Sequence, residues 1–178
     1  EERLSRFADN YRARGHRLAT LSPLVRTAYE SPELDPEFYG LSDSELSEPL
    51  EYEIVPGAQT GEETVAALKR LYSGHIGAEF AHIDSYEKRM WLQERFERPE
   101  PALSTDEKKE VLQKLTEAYV FEDFLQKRYL GHKSFSLEGG EALIPLVHSI
   151  IEHAGGVGVK EIVFGMAHRG RLNILANI

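Results

Sequence analysis

Residues 139–173 read GGEALIPLVHSIIEHAGGVGVKEIVFGMAHRGRLN, and this stretch is the most informative about the fold class. Apolar residues recur at helical spacing over 141–153, and Pro145 lies near the first turn, where its missing N–H costs least. A glycine turn follows, the apolar run 160–167 predicts a short buried strand, and a helix is expected from Gly170 onward. Helix, turn, strand and helix in this order are typical of the opening of an α/β domain with a parallel sheet.

The residues before this stretch predict a helix-rich region. The first helix is expected to end near Gly15, and Ser or Thr followed by Glu three positions later predicts helix starts at Ser42, Thr60 and Ser104. Asp84 is predicted to cap a helix over 85–97. The side chains expected to face a core are Leu4, Phe7, Ala8 and Tyr11 in the first helix, then Val65, Leu68, Leu71 and Tyr72, then Trp91, Leu92 and Phe96, and finally Val111, Leu112, Leu115 and Tyr119.

Proline-containing segments divide the chain. Residues 22–50 contain four prolines together with aromatic anchors, which predicts an ordered connector rather than a flexible linker. The sequence Arg-Pro-Glu-Pro at 98–101 separates two helices and indicates a boundary between sub-domains. We therefore expect a helical N-terminal region over 1–103 and the first part of an α/β domain over 104–178, with a further helical piece at 121–129.

Charge and composition exclude several classes of function. The chain of 178 residues has 30 acidic and 21 basic side chains, a formal net charge of −9. Such an acidic surface disfavours non-specific binding of nucleic acid or of anionic membranes, since both need a cationic face. The chain contains no cysteine, which excludes disulfides, cysteine-ligated metals and a thiol nucleophile.

The two ends of the sequence do not look like natural termini. The start, Glu-Glu-Arg-Leu, lacks methionine and no apolar signal region follows it. The last residues, 171–178, resemble the beginning of a helix without a stop signal, and no apolar run has the length that spans a bilayer. We expect the sequence to be a piece of a longer protein.

The sharpest candidate site is the segment 165–173, GMAHRGRLN, between the predicted strand and the last helix. Ligands of open α/β sheets bind outside the carboxyl ends of strands, and a helix N-terminus favours phosphate or carboxylate. His168 can transfer a proton near neutral pH, Arg169 can grip an anion with two parallel hydrogen bonds, and Gly170 allows a close approach. From spacing alone, a turn in which both side chains only cap or pair locally remains the simpler interpretation.

Other polar motifs are less specific. His75, Glu79 and His82 do not have the spacing of a helical zinc site, so a tight turn followed by an extended segment is favoured over a metal site. The cationic stretch 11–16 is interpreted as a helix end. The glycine pair 139–140 lacks the residues of a phosphate loop. Surface positions are expected for the remaining histidines, His132, His148 and His153.

Taken together, the motifs resemble one enzyme family. They are YRARGH at 11–16, PELDP at 32–36, FYGL at 38–41, YSGHIGAE at 72–79, EKRMWL at 87–92, FSLEGGEALIP at 135–145 and GMAHRGRLNIL at 165–175. In this order and spacing, the chain resembles the thiamine diphosphate-dependent first component of the 2-oxoglutarate dehydrogenase complex. The resemblance runs across nearly all 178 residues and implies an N-terminal fragment, because family members are several times longer.

The resemblance implies a reaction and a site. In the family, thiamine diphosphate attacks the keto carbon of 2-oxoglutarate, carbon dioxide leaves, and the succinyl group passes to a lipoyl group on the second component. It implies that His168 lies in the active site and that Arg169 binds cofactor or substrate, while Arg171 and Asn173 brace the loop and helix. Most ligands of thiamine diphosphate and Mg²⁺ are expected beyond residue 178, so no metal ligand is assigned here.

The resemblance also implies partners and leaves alternatives open. Expected partners are dihydrolipoyl succinyltransferase, dihydrolipoyl dehydrogenase and a second copy in a homodimer, in the bacterial cytoplasm or, for a eukaryotic protein, the mitochondrial matrix. A paralogous 2-oxoadipate dehydrogenase would show the same motifs. The fragment alone could instead be a non-catalytic assembly module, which its incomplete set of cofactor ligands favours.

Overall fold

The computed structural model describes residues 1–22, 24, 30–99, 102–132 and 134–178. These residues form two compact units, Glu1–Glu100 and Pro101–Ile178. Part of the predicted connector, residues 23 and 25–29, and two residues of the predicted boundary, Glu100 and Pro101, lie outside the described residues. Within the described ranges, no helix combines the length and apolar character needed to cross a membrane.

The first unit is helical. Its α-helices are α1 (Glu2–Arg14), α2 (Asp43–Leu46), α3 (Gly61–Tyr72) and α4 (Tyr86–Glu97), and three short 3₁₀ helices lie at Gly15–Leu18, Pro32–Leu34 and Pro36–Tyr39. Ser42 and Thr60 cap α2 and α3 as predicted, because their side chains accept hydrogen bonds from the backbone N–H of Glu45 and Glu63. Helix α4 is capped by Ser85 rather than by the predicted Asp84.

The core of the first unit is built on α1 and α3. Phe7, Tyr11, Leu68 and Tyr72 are fully buried there, which confirms the predicted inner faces of both helices. Phe96 of α4 packs against the same cluster. Trp91, also predicted to face inward, is 56% exposed and stacks with Arg95 instead, with the guanidinium carbon 5.1 Å from the ring centroid.

The second unit contains α5 (Thr105–Arg128), α6 (Leu143–Gly156) and α7 (Arg171–Asn177). Helix α5 is continuous and includes residues 121–128 of the piece predicted separately at 121–129, since no proline or glycine interrupts it. A small buried cluster joins all three helices, and its members are Ala118, Leu137, Ile144 and Ile174.

One helix face in this unit differs from the prediction. Leu112 and Tyr119 of α5 are both 64% exposed, whereas Ala118 and Glu122 are the buried positions of the helix. A core face through Ala118 and Glu122 satisfies the four-residue helical spacing equally well, but it places a carboxylate inside. The apolar pattern selects this face in part, through the predicted and half-buried Val111 and Leu115, but it does not assign a charged side chain to a buried position.

The predicted buried strand at 160–167 is not formed. The segment has no regular secondary structure, Val163 is 92% exposed, and the described residues contain no strand, only an isolated bridge between Pro49 and Thr60. A buried strand needs hydrogen-bonded neighbours, and no described segment pairs with this one. The helical part of the expected architecture is therefore present, while the parallel sheet is not shown.

Candidate functional site

The segment with the predicted site residues forms a tight turn before α7. The N–H of Arg171 donates to the carbonyl of His168 at 3.3 Å, and the N–H of Gly170 donates to the carbonyl of Phe135 at 2.8 Å. Gly170 adopts the left-handed conformation with φ +73°, which glycine tolerates without a Cβ clash. The turn thus places His168 and Arg169 beside the segment 135–137.

His168 is an exposed histidine with an aromatic neighbour. Its ring centroid lies 3.9 Å from that of Phe135, with 45° between the ring planes. The phenyl ring restricts where the imidazole can turn, because the two rings are in van der Waals contact. Phe135 was not among the predicted site residues, although it begins the family motif FSLEGGEALIP at 135–145.

Arg169 is attached to the same segment by its side chain. One guanidinium nitrogen, Nη1, donates to the carbonyl of Ser136 at 3.2 Å, and the residue is otherwise exposed. A guanidinium has five N–H donors, so donors remain to bind a carboxylate or phosphate. The structure therefore places the two predicted site residues on one exposed turn whose donors suit an anion.

The floor below this turn is closely packed. A Cβ added at Gly170 would lie 2.5 Å from Cδ1 of Leu137, and both residues are buried. Leu137 belongs to the core cluster of the second unit, so the turn rests directly on that core. The exposed side of the turn carries His168 and Arg169, and its buried side packs on the core through Gly170.

A buried polar pair anchors the start of α7. Asn173 is fully buried, and its Nδ2 donates to the carbonyl of Ala118 at 2.9 Å and to Oε1 of Glu122 at 3.0 Å. These contacts agree with the predicted bracing role for Asn173, whereas Arg171, predicted to share that role, is exposed. Glu122 was missed, because apolar spacing does not assign a charged side chain to a buried position.

The other polar residues singled out in the sequence do not form a second site. His75 Nδ1 lies 3.3 Å from the carbonyl of Thr20, and Glu79 lies 3.8 Å from His16, so His75, Glu79 and His82 do not converge. No cluster of three potential metal ligands occurs among residues the structure describes. His148, expected on the surface, bonds Glu110 across 2.9 Å.

The cationic end of α1 serves the core of the first unit. Arg12 pairs with both oxygens of buried Glu97, at 2.6 and 2.9 Å, and the hydroxyl of Tyr72 donates to the same carboxylate at 2.8 Å. Burial would lower the pKa of Arg12, but the hydrogen bond and charge of Glu97 raise it above its ordinary value. This arrangement agrees with the structural interpretation of the motif.

Sequence comparison confirms the family resemblance. The chain is 44% identical over 176 residues to the 2-oxoglutarate dehydrogenase E1 component of Brucella anthropi, and 42% identical over 174 residues to the proteins of that name from Brucella canis and Brucella suis. Each match covers 94% of this chain but 17% of the relative. The chain thus spans about one sixth of the length of these relatives. No family model matches it.

Proposed function

We propose that this chain, similar over 94% of its length to 2-oxoglutarate dehydrogenase E1 components, is the N-terminal part of a thiamine diphosphate-dependent enzyme that decarboxylates 2-oxoglutarate and transfers the succinyl group to a lipoyl group. The observation that carries this proposal is the 44% identity sustained over 176 residues. A shared short motif arises by chance far more readily than identity of that extent.

The geometry of the 168–170 turn supports a role in binding the substrate or the cofactor. The chemistry that thiamine diphosphate supplies is nucleophilic addition to the keto carbon and acceptance of the electrons left after decarboxylation. Both ligands are anionic, and the free donors of Arg169 can bind a carboxylate or a diphosphate oxygen. His168 can donate a hydrogen bond to a substrate oxygen and hold or release a proton at an imidazole nitrogen.

The rest of the proposed cofactor site lies in the longer enzyme. The family resemblance implies that most ligands of thiamine diphosphate and Mg²⁺ lie beyond residue 178, and we propose this arrangement for the longer enzyme. In the same enzyme we propose that 160–167 becomes a strand of a parallel sheet, since its apolar side chains are exposed here. Residues 104–178 would then open the thiamine-binding domain.

The proposed partners follow from the same similarity. The name of the relatives, an E1 component, supports assembly with the other components of a multienzyme complex. The family resemblance implies that these are dihydrolipoyl succinyltransferase and dihydrolipoyl dehydrogenase. We also propose a homodimer, because the family resemblance implies that active sites lie between two copies. The bacterial source of the relatives supports a cytoplasmic location.

The test is turnover by the full-length enzyme that contains this chain. Carbon dioxide release from 2-oxoglutarate is followed with an artificial electron acceptor, with and without thiamine diphosphate and Mg²⁺, and 2-oxoadipate and pyruvate are assayed in parallel. Turnover of 2-oxoglutarate that depends on the cofactor is the expected result. Turnover of 2-oxoadipate alone would identify the enzyme as the paralogous 2-oxoadipate dehydrogenase. A folded protein that turns over no 2-oxo acid would support the non-catalytic assembly role instead.

A further inference from the structure

Two segments of the candidate site, 135–137 and the start of α7, hydrogen-bond to one buried oxygen atom. Oε1 of Glu122 accepts a hydrogen bond from the backbone N–H of Leu137 at 3.2 Å and another from Nδ2 of Asn173 at 3.0 Å. Glu122 is 7% exposed and lies in the long helix α5. A helix residue remote from the turn in sequence is therefore the common attachment point of both segments.

Both residues that donate to this oxygen, Leu137 and Asn173, lie within three residues of the candidate site. Leu137 directly follows Phe135 and Ser136, whose carbonyls accept the hydrogen bonds from Gly170 and Arg169. Asn173 lies in the first turn of α7, three residues after Gly170. A displacement of either attachment would therefore move the donors of Arg169 and the ring partner of His168.

The orientation of the Asn173 amide is set by a second hydrogen bond. Oδ1 of Asn173 accepts from Nδ2 of Asn177 at 2.7 Å, so its own Nδ2 must face Glu122 and the carbonyl of Ala118. An acceptor is required at position 122, because loss of the carboxylate would leave a buried N–H of Leu137 without a partner. An apolar side chain of similar size would fill the same space but would provide no hydrogen-bond acceptor.

We infer that Glu122 is a positioning residue, which holds the 135–137 segment and the start of α7 at the separation that the His168–Arg169 turn needs for ligand binding. The ligand and the reaction in this inference rest on the proposed function. The attachment of both segments to Glu122 does not depend on it. The inference assigns Glu122 no contact with substrate. Catalytic geometry is sensitive to shifts of about 1 Å, so a purely structural group can control the rate through placement.

The test compares Glu122→Ala with Glu122→Gln in the full-length enzyme. Glutamine keeps an oxygen acceptor in the same place, so Glu122→Gln should retain kcat/KM within about threefold and Glu122→Ala should lose at least about tenfold while remaining folded. Val147→Ala is the matched control, because Val147 is 6% exposed in α6 and lies outside the buried cluster around Leu137. It should lower the unfolding temperature and leave kcat/KM unchanged.

A second readout does not depend on activity. Hydrogen exchange measured by mass spectrometry should show faster exchange in peptides containing Leu137 and Gly170 for Glu122→Ala, but not for Glu122→Gln or Val147→Ala. An unchanged exchange pattern in Glu122→Ala would overturn the inference, as would a Glu122→Gln variant that is as inactive as Glu122→Ala with both peptides still protected. If the wild-type enzyme turned over no 2-oxo acid, the proposed function would fail while the exchange data would still decide the inference.

Discussion

Gly170 is the residue at which backbone conformation and packing constrain the candidate site most tightly. Its φ is +73°, and a Cβ added there would lie 2.5 Å from Cδ1 of Leu137. The importance of a glycine there was expected from the sequence, because it follows His168 and Arg169 between an apolar run and a helix. The contact between Gly170 and Leu137 was not expected, because the two residues are far apart in the chain and only the folded core brings them together.

Replacement of Gly170 by alanine should destabilise the protein by about 2 kcal/mol, because it adds both a left-handed strain and an overpacked contact. Urea unfolding measures the difference. Gly158→Ala is the matched control, since Gly158 has φ +89° but nothing within 4 Å of the added Cβ. Equal losses in the two variants would mean that the contact with Leu137 adds nothing.

Tyr72 gives the first unit a dependence on alkaline pH. Burial first, and then the negative charge of Glu97, raises the pKa of Tyr72 above its ordinary value of 10.0. Above pH 10 the unfolded chain releases this proton while the folded chain holds it, so stability is fully present below that pH and falls as the pH rises further.

Tyr72→Phe should therefore cost about 2 kcal/mol at pH 7, the contribution of a hydrogen bond to a charged acceptor, and should flatten the loss of stability above pH 10. Chemical unfolding at pH 7, 9 and 11 measures both effects. Tyr119→Phe serves as the control, because Tyr119 is 64% exposed. A pH dependence in Tyr72→Phe as steep as in the wild type would contradict the assignment.

Among the elements, α5 shows which features local sequence signals predict and which they do not. Its start at Ser104 was predicted and is confirmed, since the side chains of Ser104 and Glu107 cap each other's backbone N–H groups. Its buried face was predicted only in part. Glu122 is buried there, and apolar spacing does not predict a charged residue at such a position. Capping depends on neighbours in the sequence, whereas the buried face depends on partners such as Leu137 and Asn173 that come later in the chain.

Ser104→Ala should destabilise the second unit by about 1 kcal/mol, the usual cost of losing an N-cap side chain. Thr105→Ala, one residue along, removes a hydroxyl without removing a cap and should be nearly neutral. Thermal unfolding followed by circular dichroism measures both variants. A neutral Ser104→Ala would show that tertiary packing alone holds the start of α5.

On the scale of the whole molecule, the segment 160–167 is where the expected architecture and the structure diverge. Its composition favours a buried strand, yet Ile162, Val163 and Phe164 are exposed and unpaired in the described chain. A sheet is a property of several segments, so a strand-like sequence does not form a strand without neighbours. The helices and the exposed turn depend on local signals, so the sequence pattern predicts them.

The amides of 162–165 should exchange quickly in the isolated 178-residue chain and become protected by at least about 100-fold in the full-length enzyme, where we propose that the segment pairs in a sheet. Hydrogen exchange with mass spectrometry on both proteins measures the difference. The amides inside α5 serve as an internal control, since they are hydrogen-bonded in the helix already. Equal exchange of 162–165 in both proteins would contradict the proposed sheet.

The measurement that tests the central claim most directly is the effect of Arg169→Ala on the full-length enzyme, with thiamine diphosphate affinity and kcat/KM for 2-oxoglutarate determined together. Loss of a charged hydrogen bond predicts a weakening of about 1.5 kcal/mol or more, roughly tenfold, in at least one of the two quantities. Arg128→Ala, an exposed arginine in the last turn of α5, should change neither. Unchanged affinity and unchanged kinetics in a folded Arg169→Ala enzyme would show that the His168–Arg169 turn is only a structural connection to α7.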